Sequence, residues 1–81
     1  MSYRELDTVV LTRDLPECGL RIGDLGAIVH VHSPEAFAVE FVRASGETQA
    51  LVTLHPTDLR PVEPHDLVAV RPLGPSTRGA A

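Results

Sequence analysis

The chain has no lysine and no tryptophan, one cysteine, and only three aromatic residues in 81 positions. A lone thiol, Cys18, excludes an internal disulfide and any zinc framework of paired cysteines. Three aromatics, Tyr3, Phe37 and Phe41, are too few for both a core and a ring-lined groove, so recognition of proline-rich peptides is disfavoured. Without lysine, the seven basic residues are all arginines, and they are scattered: Arg4, Arg13, Arg21, Arg43, Arg60, Arg71 and Arg78. No basic run exists to grip a phosphate backbone. Eleven carboxylates bring the net charge to −4 and the pI to about 5.4, which repels nucleic acid and suits a basic protein partner. No apolar run approaches the roughly 20 residues of a membrane-crossing helix. The start, Met1-Ser2-Tyr3-Arg4-Glu5, lacks the apolar segment of a secretory leader, so a cytoplasmic location is expected.

What is present is the pattern of a small β protein. Apolar residues make up 43% and charged residues 22%, a globular balance in a chain with room for one core and no large cleft. Thr8–Thr12 is β-branched and aliphatic and reads as a first strand. Residues 13–24, with Pro16, Gly19 and Gly23, read as a loop closed by a turn at Gly23-Asp24. Residues 25–32 alternate as a second strand, with Val29 assigned to the interior, and Ser33-Pro34-Glu35 is a turn cluster. In 37–42, Phe37, Val39 and Phe41 share the core face and Glu40 points outward. Ala44–Glu47 is a hairpin turn, and 48–54 returns as a fourth strand. His55-Pro56-Thr57-Asp58-Leu59 suits one helical turn. Residues 59–62 then close the sheet at an edge, where Pro61 is tolerated.

Asp66–Arg71 alternates enough for a sixth strand, free to lie on the barrel, pair across a dimer or add to a partner's sheet. Residues 72–81 have nothing to bury and read as a disordered tail, leaving 1–71 as the domain. Five or six short strands with no helical period beyond one turn indicate an all-β barrel, monomeric or homodimeric. Leu20 and Ile22 are expected to seed its core, and Gly26 to let a bent strand pass close to its neighbour.

The run Gly19–Val29, with its Gly23-Asp24-x-Gly26 device, resembles the opening of SH3-like barrels, including KOW-type ones. Together with Leu6–Leu11, Ile28-Val29, Val39-Glu40-Phe41, Gly46-Glu47-Thr48 and Leu54 through Asp58-Leu59-Arg60, it resembles a bacterial domain-of-unknown-function family of small SH3-like proteins. The match spans residues 6–62. The resemblance carries no catalytic motif. It implies a free-standing module working beside a partner protein, as one half of a toxin–antitoxin-like pair.

The residues that bear chemistry each have a plainer reading. His30 and His32 stand two apart on one strand and form half a metal site, which His55 and Cys18 would complete if the chain folded over them. The plainer reading is a pair of histidines on a half-exposed strand, with no metal or other cofactor. Cys18 lacks an orienting group or an oxyanion hole, and Glu17 beside it dulls the thiol. Glu40 and Glu47, on adjoining strands, suit partner binding better than acid–base work. The sequence therefore points to a non-enzymatic protein-binding module, with Glu40, Glu47, Asp58 and Arg60 as contact residues. A KOW-like nucleic-acid binder is the alternative, and a metal-binding protein a second one.

Overall fold

A computed structural model of the chain describes residues 3–73. It is all-β. Five strands, β1 (Thr8–Leu11), β2 (Leu25–Ser33), β3 (Ala36–Val42), β4 (Thr48–Leu54) and β5 (Leu59–Pro61), form one antiparallel sheet in the order β4-β3-β2-β1-β5. The sheet coils around a single interior made by Val9, Leu11, Leu15, Leu20, Ile28, Phe37, Val39, Phe41, Leu54 and Leu59. Leu54 and Leu59, on the two edge strands, meet in that interior across a one-turn 3₁₀ segment, Pro56–Asp58. This is the SH3-like arrangement expected from the sequence, and the fourth strand falls on its expected residues.

The alternation in β3 is simple: Phe37, Val39 and Phe41 are buried. β2 is not simple. Ile28 pairs with Val39, but His30 pairs with Ala38, so Val29 is an extra residue. A second irregularity lies between Val31 and Ser33. Each extra residue shifts the two-residue phase of the strand. The inward positions are therefore Gly26, Ile28 and Val31, and Val29, expected in the core, is 38% exposed. Gly26 is buried where a side chain would collide: a Cβ there would stand 2.7 Å from Phe41 Cε2 and 2.8 Å from Val39 Cγ1.

The loop expected over 13–24 has structure of its own. A 3₁₀ turn at Pro16–Cys18 brings Leu15 and Leu20 into an antiparallel bridge, and both side chains enter the core. Ile22 does not follow. It sits in the next turn, its N–H bonded to Asp14 Oδ1 at 2.8 Å, and is 62% exposed. Tyr3 lies at the edge of this interior. It packs edge-on against Phe37, ring centroids 5.4 Å apart, and joins the core margin. Burial, then the nearby Asp7 carboxylate, push its hydroxyl above the ordinary tyrosine range.

The turns share one device. All five aspartates accept a hydrogen bond from a backbone N–H: Asp7 from Arg4, Asp14 from Ile22, Asp24 from Arg21, Asp58 from His55 and Asp66 from Glu63. In four of them the donor lies three residues back, and the Asp N–H returns a bond to that residue's carbonyl. Short carboxylates close such turns well because they reach their own backbone with few rotatable bonds. In Arg4–Asp7 and Arg21–Asp24 the third residue has positive φ, Leu6 at 75° and Gly23 at 95°. In His55–Asp58 and Glu63–Asp66 the second residue is Pro56 or Pro64, whose ring presets the bend.

No strand forms over Asp66–Arg71. Its two ends are held by ion pairs, Asp66 to Arg60 and Arg71 to Asp24. Of the tail expected over 72–81, Pro72 and Leu73 have no regular structure, and 74–81 lie outside the described residues.

Candidate functional site

After β5 the chain runs as an irregular strap, residues 62–73, which turns at Glu63–Asp66 and is fastened at two points. The guanidinium of Arg60 takes the Asp66 carboxylate in a two-pronged pair, at 2.8 and 2.9 Å. Arg71 takes Asp24 in the same way, through Nε at 2.9 Å and Nη2 at 2.5 Å, and also donates to the Gly19 carbonyl. Paired planar forks of this kind fix direction as well as distance. Asp24 and Asp66 are themselves held by their own turns, so the strap hangs between two preset anchors.

Between those anchors the strap is apolar and bare. Leu67, Val68 and Val70 are 90, 68 and 95% exposed. Among the described residues, no backbone–backbone hydrogen bond involves residues 67–73. Fastening the ends on turn aspartates holds the segment away from a sheet edge, which is why the expected sixth strand does not form. The strap therefore offers water both apolar side chains and unspent backbone donors and acceptors.

The anchors show in the titration of the carboxyls. Hydrogen bonding from Arg60, then from the Glu63 amide, lowers Asp66 to about 2. At Asp24 burial is the largest influence and acts upward. The bonds from Arg71 and the Arg21 amide, with the charges of both arginines, outweigh it and leave the group below the usual carboxylate range. Asp58 behaves alike: burial raises it, and Arg13 together with the His55 amide more than reverses this.

The four expected contact residues fall into two pairs. Asp58 and Arg60 are engaged within the molecule, Asp58 with Arg13 at 2.7 Å and Arg60 with Asp66. Glu40 and Glu47 flank the β3–β4 hairpin. Glu40 is half-buried and accepts from Thr48, while Glu47 is exposed beside Ser45. Among the described residues no glutamate lies within ion-pair distance of an arginine, so the surplus negative charge sits on glutamates facing solvent or histidine.

The histidines divide as well. His30 and His32 stand together, ring centroids 4.6 Å apart, with Glu5 Oε2 3.7 Å from His30 Nδ1. His55 is elsewhere, its ring between Glu35 and Thr57, and Cys18 packs against the core. Neither completes the four-ligand set considered from sequence. Among the described residues, no group of three or more His, Cys, Asp or Glu side chains is placed to hold a metal ion. A shallow depression at Gly19, Leu20, Arg21, Arg71 and Pro72 lies open to solvent beside one anchor.

Sequence reasoning missed the strap's anchors. Asp24 and Arg71 are 47 residues apart, and nothing local links them. The available signal was the repeated Asp closing a four-residue turn, which marks carboxylates already fixed in space.

A family model described as a domain of unknown function, DUF4926, matches residues 5–61. Neither the curated proteins nor the solved structures contain a match. No helix among the described residues is long and apolar enough to cross a membrane. The family match ends at β5, so the strap lies beyond it.

Proposed function

The chain belongs to the DUF4926 family, and we propose that it is a non-enzymatic protein-binding module whose strap adds to the open sheet edge of a partner. One observation carries this reading: Leu67 and Val70 stand almost fully in water, and Val68 largely so, on a segment anchored at both ends. An unanchored apolar segment would gain by collapsing onto the core, and this one is held out. Burying such side chains against a partner gives about 25 cal/mol for each Å² removed from water. Holding the segment at both ends beforehand reduces the ordering cost of binding.

Charge supports a basic partner. The surplus carboxylates, Glu40 and Glu47 among them, are not neutralised by arginine, which favours encounter with a positive surface and opposes nucleic acid. Three of the seven arginines, Arg13, Arg60 and Arg71, are spent on aspartates, and both phenylalanines are buried. An antitoxin-like role beside a neighbour-encoded protein is one form this binding takes.

The test is calorimetric titration of the purified domain with the product of the adjacent gene. Val68→Asp and Leu67→Asp should each weaken binding at least about tenfold, because each places a charge in a desolvated contact. Both should leave the melting temperature unchanged, since the parent side chains touch water. Undiminished binding by both variants would remove the strap from the interface. Salt-sensitive retardation of nucleic acid at low ionic strength would replace the reading with the KOW-like one.

A further inference from the structure

The pair His30–His32 is absorbed by neither the fold nor the strap. The irregular register of β2 creates it. With Val29 as an extra residue, His30 turns outward opposite Ala38 while Val31 enters the core opposite Phe37. The second irregularity falls between Val31 and Ser33, and the His32 ring is left against that of His30, 4.6 Å between centroids. Both histidines are exposed. Register irregularities re-aim side chains in this way, and they are common beside functional sites.

The surroundings leave the two rings free to converge. The cross-strand neighbour of His30 on β3 is the small Ala38, and His32 falls within the irregularity between Val31 and Ser33. On the other side the N-terminal segment is tied to β2 by the Leu6 N–H, which donates to the Ile28 carbonyl at 2.7 Å. That tie brings the Glu5 carboxylate to 3.7 Å from His30 Nδ1. Two imidazoles and a carboxylate oxygen thus lie on one solvent-facing patch.

We propose that His30 and His32 chelate a divalent transition-metal ion, Cu²⁺ in preference to Zn²⁺, with Glu5 swinging in as a third donor and water filling the remaining positions. Two nitrogens and two oxygens suit the tetragonal geometry of Cu²⁺, and the general affinity order of divalent ions favours it over Zn²⁺. A four-ligand zinc site of the structural kind is not what these residues build. Hard ions such as Mg²⁺ prefer oxygen donors and are excluded by the same chemistry. The site is on the surface of a strand already paired with β3 at these positions, so loading it adds little to folding.

The experiment titrates Cu²⁺ alone, then Zn²⁺ and Mg²⁺, into the full chain, with calorimetry and electron paramagnetic resonance as readouts. One Cu²⁺ per chain is expected at this site, with superhyperfine splitting from two nitrogens. His30→Ala and His32→Ala should each weaken Cu²⁺ binding about 10- to 100-fold and reduce the nitrogen signature to one. Glu5→Gln should weaken it less. His55→Ala and His65→Ala serve as controls and should change nothing. Thermal melts verify that every variant folds, since both rings lie in solvent. Cu²⁺ binding that survives both His30→Ala and His32→Ala, or a complete lack of nitrogen coupling in the parent, overturns the proposal.

Discussion

Gly26→Ala tests the packing on which the sheet's curvature depends. The added methyl would stand 2.7 Å from Phe41 Cε2, 3.0 Å from Phe41 Cδ2 and 2.8 Å from Val39 Cγ1. Carbon atoms in contact prefer about 3.5–4.0 Å, so the ring and the valine must each retreat by about 1 Å. Neither has an easy retreat, because both are buried on β3 and flanked by other core residues. Overpacking of this kind costs about 1–3 kcal/mol. For a domain of this size each kcal/mol lowers the melting temperature by about 4–8 °C, so a fall of about 4 to 24 °C is expected by calorimetry or circular dichroism. Phe41→Leu alone should cost about 1–2 kcal/mol through lost contact. The double variant should cost less than the sum of the two by about 1 kcal/mol, since a smaller side chain makes room for the methyl. A melting point for Gly26→Ala within a degree or two of the parent would refute the close approach. So would strict additivity in the double variant.

Three further outcomes follow from other parts of the molecule. Asp24, Asp58 and Asp66 have folded-state pKa values below their ordinary ones, so they contribute stability that is present above pH about 4 and lost as pH falls through the lowered values, to about 2 for Asp66. Melting temperature against pH should fall over that window, and Asp24→Asn should flatten part of the fall; a flat profile from pH 7 to 2 would contradict the anchors. Leu6 is a non-glycine residue at φ 75° with its side chain 83% exposed, so Leu6→Gly relieves about 1 kcal/mol of backbone strain without loss of core contacts. Gly23→Ala, at φ 95°, should move stability the opposite way, as chemical denaturation will show. Leu20→Ala should cost about 2–5 kcal/mol, whereas Ile22→Ala should stay within about 0.5 kcal/mol of the parent, because one is buried and the other stands in a solvent-facing turn.

Local chemistry made much of this protein legible in advance. Alternation in Phe37-Ala38-Val39-Glu40-Phe41 sets which face of β3 is inward, because the side-chain period of an extended chain is two. Gly46 and Pro56 mark the hairpin and the 3₁₀ turn by their backbone limits alone. Too few aromatics and no basic run narrowed the surface chemistry for the same reason: composition acts without regard to folding. Tertiary structure decided the rest. Alternation over residues 25–32 put Val29 inside, and only pairing with β3 revealed the extra residue that turns it out. Alternation over Asp66–Arg71 suggested a strand, but strand formation needs an edge to pair with, and the Arg60–Asp66 and Arg71–Asp24 pairs hold the segment away from one. Periodicity records what each residue prefers beside its chain neighbours; that Arg71 finds Asp24, 47 positions away, is set only when the sheet closes around its core.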